Sequence, residues 1–176
     1  MPYGVVLLPD RDTRLRFAAL AARIGGESPA HVLGGQAPAH VSVAHFDGDE
    51  SQAAQIAART EAHTPRKLRM RIIGLLYATI PPGDYYFPQG GVYFGLEVVR
   101  RPALNALHHE ALTWIRSAGA TPLGQVGDDF RPHVTLGAAA APVLPPWPEI
   151  PAGEFDATLA FGELARHGTF PGLTTA

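Results

Sequence analysis

Two short stretches of this 176-residue chain carry the same pattern, PAHVSVA at residues 38–44 and FRPHVTLG at residues 130–137. Each contains a histidine, an apolar residue, a hydroxyl residue and a second apolar residue in succession. Positions i and i+2 of a β-strand lie on one face, so each stretch predicts a strand that presents an imidazole and a hydroxyl together. A third His-x-Ser/Thr triplet, at 167–169, has a glycine in place of the first apolar residue.

The elements around the two motifs repeat. In the first half, an apolar strand at 3–8 precedes a helix that Asp12 can cap and Gly25 ends, followed by the motif strand at 39–46. In the second half, a strand at 92–99 precedes a helix between Pro102 and Gly119, followed by the motif strand at 132–136. The motif histidines lie 93 residues apart, about half the chain. We interpret this pattern as two copies of one unit that pack around a shared cleft.

A helix at 49–60, a long strand at 67–77 and a last strand at 155–164 complete the pattern. We expect an α+β protein with a bilobal, pseudo-symmetric fold, in which two antiparallel-rich sheets flank a central cleft and the helices lie outside. Residues 1–176 are predicted to form one domain, with lobes at approximately 1–80 and 81–176. This length suits a single well-buried core.

Composition excludes several classes of protein. The formal net charge of −2 provides no global positive field for nucleic acid or anionic membranes. The chain has no cysteine, which excludes disulfides, thiolate metal sites and a cysteine nucleophile. The opening segment meets a charge at Asp10 before a signal-peptide core could form, and no uncharged apolar stretch is long enough to span a bilayer. We therefore expect a cytoplasmic protein.

The paired motifs resemble those of the two-histidine (2H) phosphoesterase superfamily, which includes 2′,5′ RNA ligase-like proteins and cyclic phosphodiesterases. The opening segment at 4–10 (GVVLLPD) and the aromatic segment at 85–87 (YYF) are similar to the plant-type cyclic phosphodiesterase branch. The resemblance implies a bilobal fold with a metal-free site that acts on 2′,3′-cyclic or 2′,5′-linked phosphates. The sequence GAA at 137–139 stands where many ligase-like members are expected to carry an arginine, which favours the cyclic phosphodiesterase type.

The residue types in the motifs suit this chemistry. The ordinary histidine pKa lies near neutrality, so His40 and His133 can divide the roles of general base and general acid. The motif pattern leaves open which histidine takes which role. Ser42 and Thr135 can donate hydrogen bonds to the nonbridging oxygens of a phosphate, where charge builds during the reaction.

Three further residues are predicted to bind substrate. Arg131 stands two positions before His133 and could reach the phosphate, while Tyr85 and Phe87 could stack on a base. A basic cluster at 66–71 could steer a phosphate or follow an RNA backbone, or could be a solvated sheet face. The proline-rich segment at 142–148, which contains Trp147, is interpreted as a surface cover.

The other histidines are interpreted as structural or surface residues: His31, His45, His63, His108, His109 and His167. In an unbroken strand, His45 points away from His40 and Ser42. His108 and His109 fall on a helix whose apolar face excludes them.

The predicted function is a metal-independent phosphodiesterase that hydrolyses a cyclic phosphodiester on a nucleotide or an RNA end. Alternatives are a 2′,5′ RNA ligase-like activity and a nucleotide- or RNA-binding module with the same cleft and no catalysis. A histidine metal site is disfavoured because each motif offers one ligand and no carboxylate. We expect a monomer that uses no cofactor and no metal and binds no membrane.

Overall fold

The structure is a computed structural model that describes residues 1–25, 31–33, 37–139 and 153–173. Its elements in chain order are β1 (Pro2–Pro9), α1 (Arg11–Ile24), β2 (His31–Val32), β3 (Val41–Asp47), α2 (Glu50–Ala62), β4 (Lys67–Ile80), β5 (Gly91–Val98), α3 (Pro102–Ser117), β6 (Thr121–Leu123), β7 (His133–Ala139) and β8 (Gly153–Glu163). Two 3₁₀ turns, Gly127–Asp129 and Arg166–Gly168, lie beside the last two of these strands.

All strand pairings in the described part of the chain are antiparallel, in the order β2-β7-β5-β4-β8-β1-β3-β6. The predicted α+β class is confirmed. The two predicted sheets are joined into one, because β4 is longer than expected: residues 67–72 pair with β8, and the strand continues to Ile80 alongside β5. β2 and β6 add edge strands that are too short for the sequence pattern to reveal.

Each half of the chain supplies a helix to the other half. α1 follows β1 but packs against β7 and β2, whereas α3 follows β5 and packs against β3 and β6. α2 packs against β8 and α3. The helices therefore tie the two motif strands together from outside. None of the described helices is long and apolar enough to cross a membrane.

Local signals account for the helix ends, with one correction. Asp10, not Asp12, caps α1, because its carboxylate accepts the N–H of Thr13 at 2.8 Å, while Asp12 lies in the first helical turn. α2 begins with a capping box in which Asp49 and Gln52 each bind the other's backbone N–H. Pro102 opens α3 as predicted.

The run of apolar residues in β1 is explained by burial on both of its faces. Val5 and Leu7 belong to the main core between the sheet and the helices, where Phe17 of α1 packs edge-on against Phe155 of β8. Val6 and Leu8 alternate with them and join a second apolar cluster with Leu164 and Phe170. This second cluster underlies the cleft.

Both motif strands carry a β-bulge directly after the hydroxyl residue. Along β1, Val6 pairs with Ser42 and Val5 pairs with Ala44, so Val43 is an extra residue in β3. Along β5, Gly95 pairs with Thr135 and Phe94 pairs with Gly137, so Leu136 is an extra residue in β7. The prediction that the motif strands are unbroken is therefore wrong, at equivalent points of the two strands. After each hydroxyl residue, the bulge reverses which face of the sheet the following side chains occupy.

His108 fastens α3 to the bulge in β3. This fully buried side chain donates from Nδ1 to the carbonyl of Val43 at 2.6 Å and accepts the N–H of Gly127 at Nε2, at 2.9 Å. Its ring stacks on Phe130 at 3.9 Å with an interplanar angle of 3°. The prediction that His108 lies off the apolar face is wrong, because both ring nitrogens find backbone partners inside the core. Burial lowers the pKa of His108, so the ring stays neutral.

We expect His108→Leu to lower the free energy of unfolding by about 1–3 kcal/mol, because the Val43 carbonyl and the Gly127 N–H lose their partner. His109→Leu, one position along the same helix on its exposed side, is the matched control and should change stability little. Urea unfolding of both variants measures the effect. Equal stability of the two variants would contradict this role for His108.

Candidate active site

A cavity of about 430 Å³ opens between the two motif strands. Four strands separate β3 from β7 in the sheet, yet Cα atoms of these two strands come within 8 Å of each other. The sheet therefore curls until its motif strands approach across the cavity. His40 and Ser42 line the cavity from one half of the chain, and His133 and Thr135 line it from the other.

Both motif histidines are anchored in the same way. The Nδ1–H of His40 donates to the carbonyl of Pro38 at 2.9 Å, and that of His133 donates to the carbonyl of Arg131 at 2.8 Å. A carbonyl only accepts, so Nδ1 holds a proton in each ring. Nε2 is then the nitrogen that gains or loses a proton, which suits acid and base chemistry.

The surroundings of His133 favour its neutral form. Burial lowers the pKa of His133, and the positive charge of Arg131 lowers it further, against the opposing effects of the carbonyl hydrogen bond and Glu97. The ring of Tyr93 lies 5.4 Å from that of His133, tilted by 31°. Tyr93, which the sequence predicts as a core or strand residue, also lines the cavity.

Phe170 forms an apolar wall behind the first motif. Its fully buried ring meets His40 edge-on at a centroid distance of 4.9 Å and lies 5.6 Å from the ring of His45. The wall needs a glycine at position 4, since a Cβ there would stand 2.5 Å from the Phe170 ring and 2.9 Å from His45. No local sequence pattern marks Phe170, because it reaches the site from the far end of the chain.

His45 lies in the cavity, and its predicted orientation is wrong. The bulge at Val43 places His45 on the same face as Ser42, three positions earlier, and His45 Nε2 lies 2.9 Å from Ser42 Oγ. Its Nδ1 lies 2.5 Å from the hydroxyl of Tyr86. Burial, together with the nearby His40 and His133, lowers the pKa of His45 to about 3. His45 is therefore neutral at physiological pH.

The loop between β4 and β5 supplies the next part of the wall. The carboxylate of Asp84 accepts the backbone N–H groups of Tyr86 and Phe87 at 2.8 and 3.0 Å, which holds the loop in a turn. Phe87 lines the cavity and lies 4.8 Å from the ring of His167. His167, from the third sequence triplet, also lines the cavity and has a φ of 60°.

The remaining predicted residues divide between the cavity and its surroundings. Arg131 lines the cavity and forms a two-point ion pair with Glu97, at 3.2 and 3.3 Å. Tyr85 is 60% exposed and packs edge-on against Tyr86, outside the set of described residues that line the cavity. Only Phe87 of the two predicted stacking residues is therefore positioned to contact a ligand in this cavity.

The basic cluster lies away from the cavity. Arg69 forms ion pairs with Glu154 and Asp156 of the neighbouring strand β8, at 3.1 and 3.2 Å. Arg66 donates to the carbonyl of Leu159. These contacts agree with a solvated sheet face, the second of the two interpretations that the sequence leaves open.

Among the described residues, no group of three or more His, Asp or Glu side chains is arranged to hold a metal ion. The proline-rich segment at 142–148 with Trp147, interpreted as a surface cover, lies outside the described residues.

No known protein-family profile matches the sequence, and no curated protein matches it. The structure is similar to the crystal structure of the MHV ns2 PDE domain, with a TM-score of 0.52 over 93% of this chain and 99% of that chain, at 13% sequence identity. At this identity the likeness concerns the fold. It agrees with the α+β fold predicted from the sequence.

The low pKa of His45 predicts how stability depends on pH. An unfolded chain protonates histidine below about pH 6.5, whereas folded His45 stays neutral down to a pKa of about 3. The unfolded state therefore binds more protons in this range, and the free energy of unfolding falls as pH falls. We expect His45→Phe to remove up to about 1.4 kcal/mol per pH unit of this slope between pH 6 and 5. Denaturant titrations at several pH values test this, and parallel slopes for the two proteins would contradict it.

Proposed function

We propose that this protein is a metal-independent phosphodiesterase that hydrolyses a cyclic phosphodiester on a ribose, such as a 2′,3′-cyclic nucleotide or RNA end. One observation carries the proposal. A single cavity receives a histidine and a hydroxyl from each half of the chain, and both histidines are held through Nδ1 by the carbonyl two residues earlier. This arrangement offers two proton-transfer groups and two hydrogen-bond donors to one phosphate.

The reaction needs one neutral histidine and one protonated histidine. The neutral imidazole accepts a proton from water at Nε2 as the water oxygen forms a bond to phosphorus. The bond from phosphorus to one ribose oxygen breaks, and the protonated imidazole donates its Nε2 proton to that oxygen. The products are a phosphomonoester and a free ribose hydroxyl, and the two histidines have exchanged protonation states.

The base role suits His133, because burial and the charge of Arg131 keep that ring neutral. His40 then serves as the acid. With His133 as the base, kcat/KM falls on the acid side through a pKa below 6.5, the ordinary histidine value.

The hydroxyls of Ser42 and Thr135 stabilise the reacting phosphate. Both are placed to donate to the nonbridging oxygens, which gain negative charge as the attacking oxygen adds. The backbone at both hydroxyl residues is fixed before the reaction, because each residue lies in a paired strand beside a bulge. Little reorganisation is then needed when charge develops.

The aromatic wall suits a base attached to the ribose. The volume of about 430 Å³ lies within the range of small-molecule sites. Phe87 and His167 lie side by side at one part of the lining, and Tyr93 lies next to His133 at another. We assign the stacking contact to Phe87.

We expect His40→Ala and His133→Ala each to lower kcat for a 2′,3′-cyclic nucleotide by about 10²–10⁴-fold, because each removes a proton-transfer group. EDTA should leave the wild-type rate unchanged. His109→Ala, an exposed histidine on α3, is the control. Retention of the rate in either motif variant, or its loss on chelation, would contradict the mechanism.

A substrate panel separates this function from its alternatives. The panel contains 2′,3′-cyclic nucleotides, a 2′,5′-linked dinucleotide and an ADP-ribose cyclic phosphate, with products identified by phosphorus NMR. Tight nucleotide binding without turnover of any member would favour a binding module. Turnover of the 2′,5′-linked dinucleotide in preference to the cyclic substrates would favour the 2′,5′ RNA ligase-like alternative.

We expect Phe87→Ala to raise KM for a cyclic nucleotide by about 5- to 100-fold, which corresponds to the loss of one stacking contact. KM for a ribose cyclic phosphate without a base should not change. Tyr85→Ala is the matched comparison and should leave both KM values near wild type, since Tyr85 lies outside the cavity. A larger effect from Tyr85→Ala would reverse the assignment.

A further inference from the structure

We propose that Tyr86 and His45 form a hydrogen-bonded relay that orients the Ser42 hydroxyl, so that its proton points at the phosphate. The inference rests on the proposed function, which makes Ser42 a phosphate ligand. His45 and Tyr86 are positioning residues in this scheme, because they act through Ser42.

The three side chains form a continuous chain of contacts. The Tyr86 hydroxyl lies 2.5 Å from His45 Nδ1, and His45 Nε2 lies 2.9 Å from Ser42 Oγ. The rings of Tyr86 and His45 are 5.7 Å apart at an angle of 70°, and Phe170 packs against the imidazole from another side. All three side chains line the cavity.

The direction of the hydrogen bonds follows from proton counting. Burial raises the pKa of Tyr86, so its hydroxyl keeps its one proton. Among residues 1–25, 31–33, 37–139 and 153–173, His45 Nδ1 is the only hydrogen-bond partner of that hydroxyl. Tyr86 therefore donates to Nδ1, and the single N–H of the neutral imidazole lies on Nε2. Nε2 then donates to Ser42 Oγ, which leaves the Ser42 proton for a ligand.

Hydrogen bonds in the opposite direction, from Ser42 through His45 to Tyr86, would leave no hydroxyl proton for the phosphate. An Nδ1–H on His45 would point at the Tyr86 oxygen, and the Tyr86 proton would have no protein acceptor in the described part of the chain. Nε2 would then take the Ser42 proton. That arrangement turns an oxygen lone pair, and not a donor, toward the phosphate.

The relay explains why a serine suffices at position 42. Thr135, its counterpart, is β-branched, which restricts χ1 and so the position of its hydroxyl oxygen. Ser42 lacks this restraint, and His45 supplies it from three positions along the strand. In β7 the position three residues after Thr135 is Ala138, which cannot form such a bond. The two halves thus orient equivalent hydroxyls by different means.

The protein holds the relay from both ends. Asp84 fixes the backbone of Tyr86, and Gly124 and Gly168 lie beside its side chain. At the other end, Gly4 pairs with His45 across the strands and leaves room for the imidazole.

A double-mutant cycle in the cyclic phosphodiesterase assay tests the relay. We expect Tyr86→Phe, which removes only the hydroxyl, to lower kcat by about 3- to 10-fold with little change in KM, an effect of one hydrogen bond. In a Ser42→Ala background the same change should have no effect, because its target is gone. Tyr77→Phe, outside the cavity lining, is the control.

Additive effects of Tyr86→Phe and Ser42→Ala would overturn the proposal. A purely structural role for Tyr86 predicts the additive result.

Nitrogen-15 NMR of the histidine rings tests the relay without any substrate. His45 signals are assigned by comparison with His45→Phe. We expect His45 at pH 7.5 to be the Nε2–H tautomer in the wild type, and to gain a population of the Nδ1–H tautomer in Tyr86→Phe. A wild-type Nδ1–H tautomer overturns the relay. If no cyclic phosphodiester is turned over, the proposed function fails, while the NMR result still decides the direction of the hydrogen bonds.

Discussion

The extra residue at Val43 forms a β-bulge directly after the first motif. The set of side chains that face the site depends on this bulge. Without it, His45 would lie on the far face of the sheet and Ser42 would lose its imidazole partner. The bulge is held from behind by His108, which binds the Val43 carbonyl inside the core. A buried contact between a helix and a strand therefore determines which side chains face the cavity.

The four histidines that line the cavity are distinguished by their surroundings. His45 is kept neutral by burial and by its neighbours, and His133 is shifted in the same direction by burial and Arg131. A cluster of imidazoles that all became protonated would repel one another in this confined space. A neutral His45 has one accepting and one donating ring nitrogen, which the relay proposed between Tyr86 and Ser42 requires, while the motif histidines keep an Nε2 that can exchange protons.

Sequence patterning located the two motif strands, their pseudo-repeat and the α+β class, because strand alternation and helical spacing act over a few residues. It did not locate β2 and β6, which contain two and three residues. It assigned the α1 cap to Asp12 and not Asp10, a two-residue error of the kind expected at helix ends. It also placed His45 and His108 wrongly, since both depend on the bulge at Val43.

The sequence by itself determined which groups are paired: two histidines and two hydroxyls at matched positions, in a chain with no cysteine. Those features follow from residue identity and spacing along one strand. The tertiary structure alone decided which additional residues join them. Tyr86 and His167 line the cavity from segments distant in the chain, and Phe170 packs behind it against His40. Such contacts depend on packing between elements, which no local pattern of residues encodes.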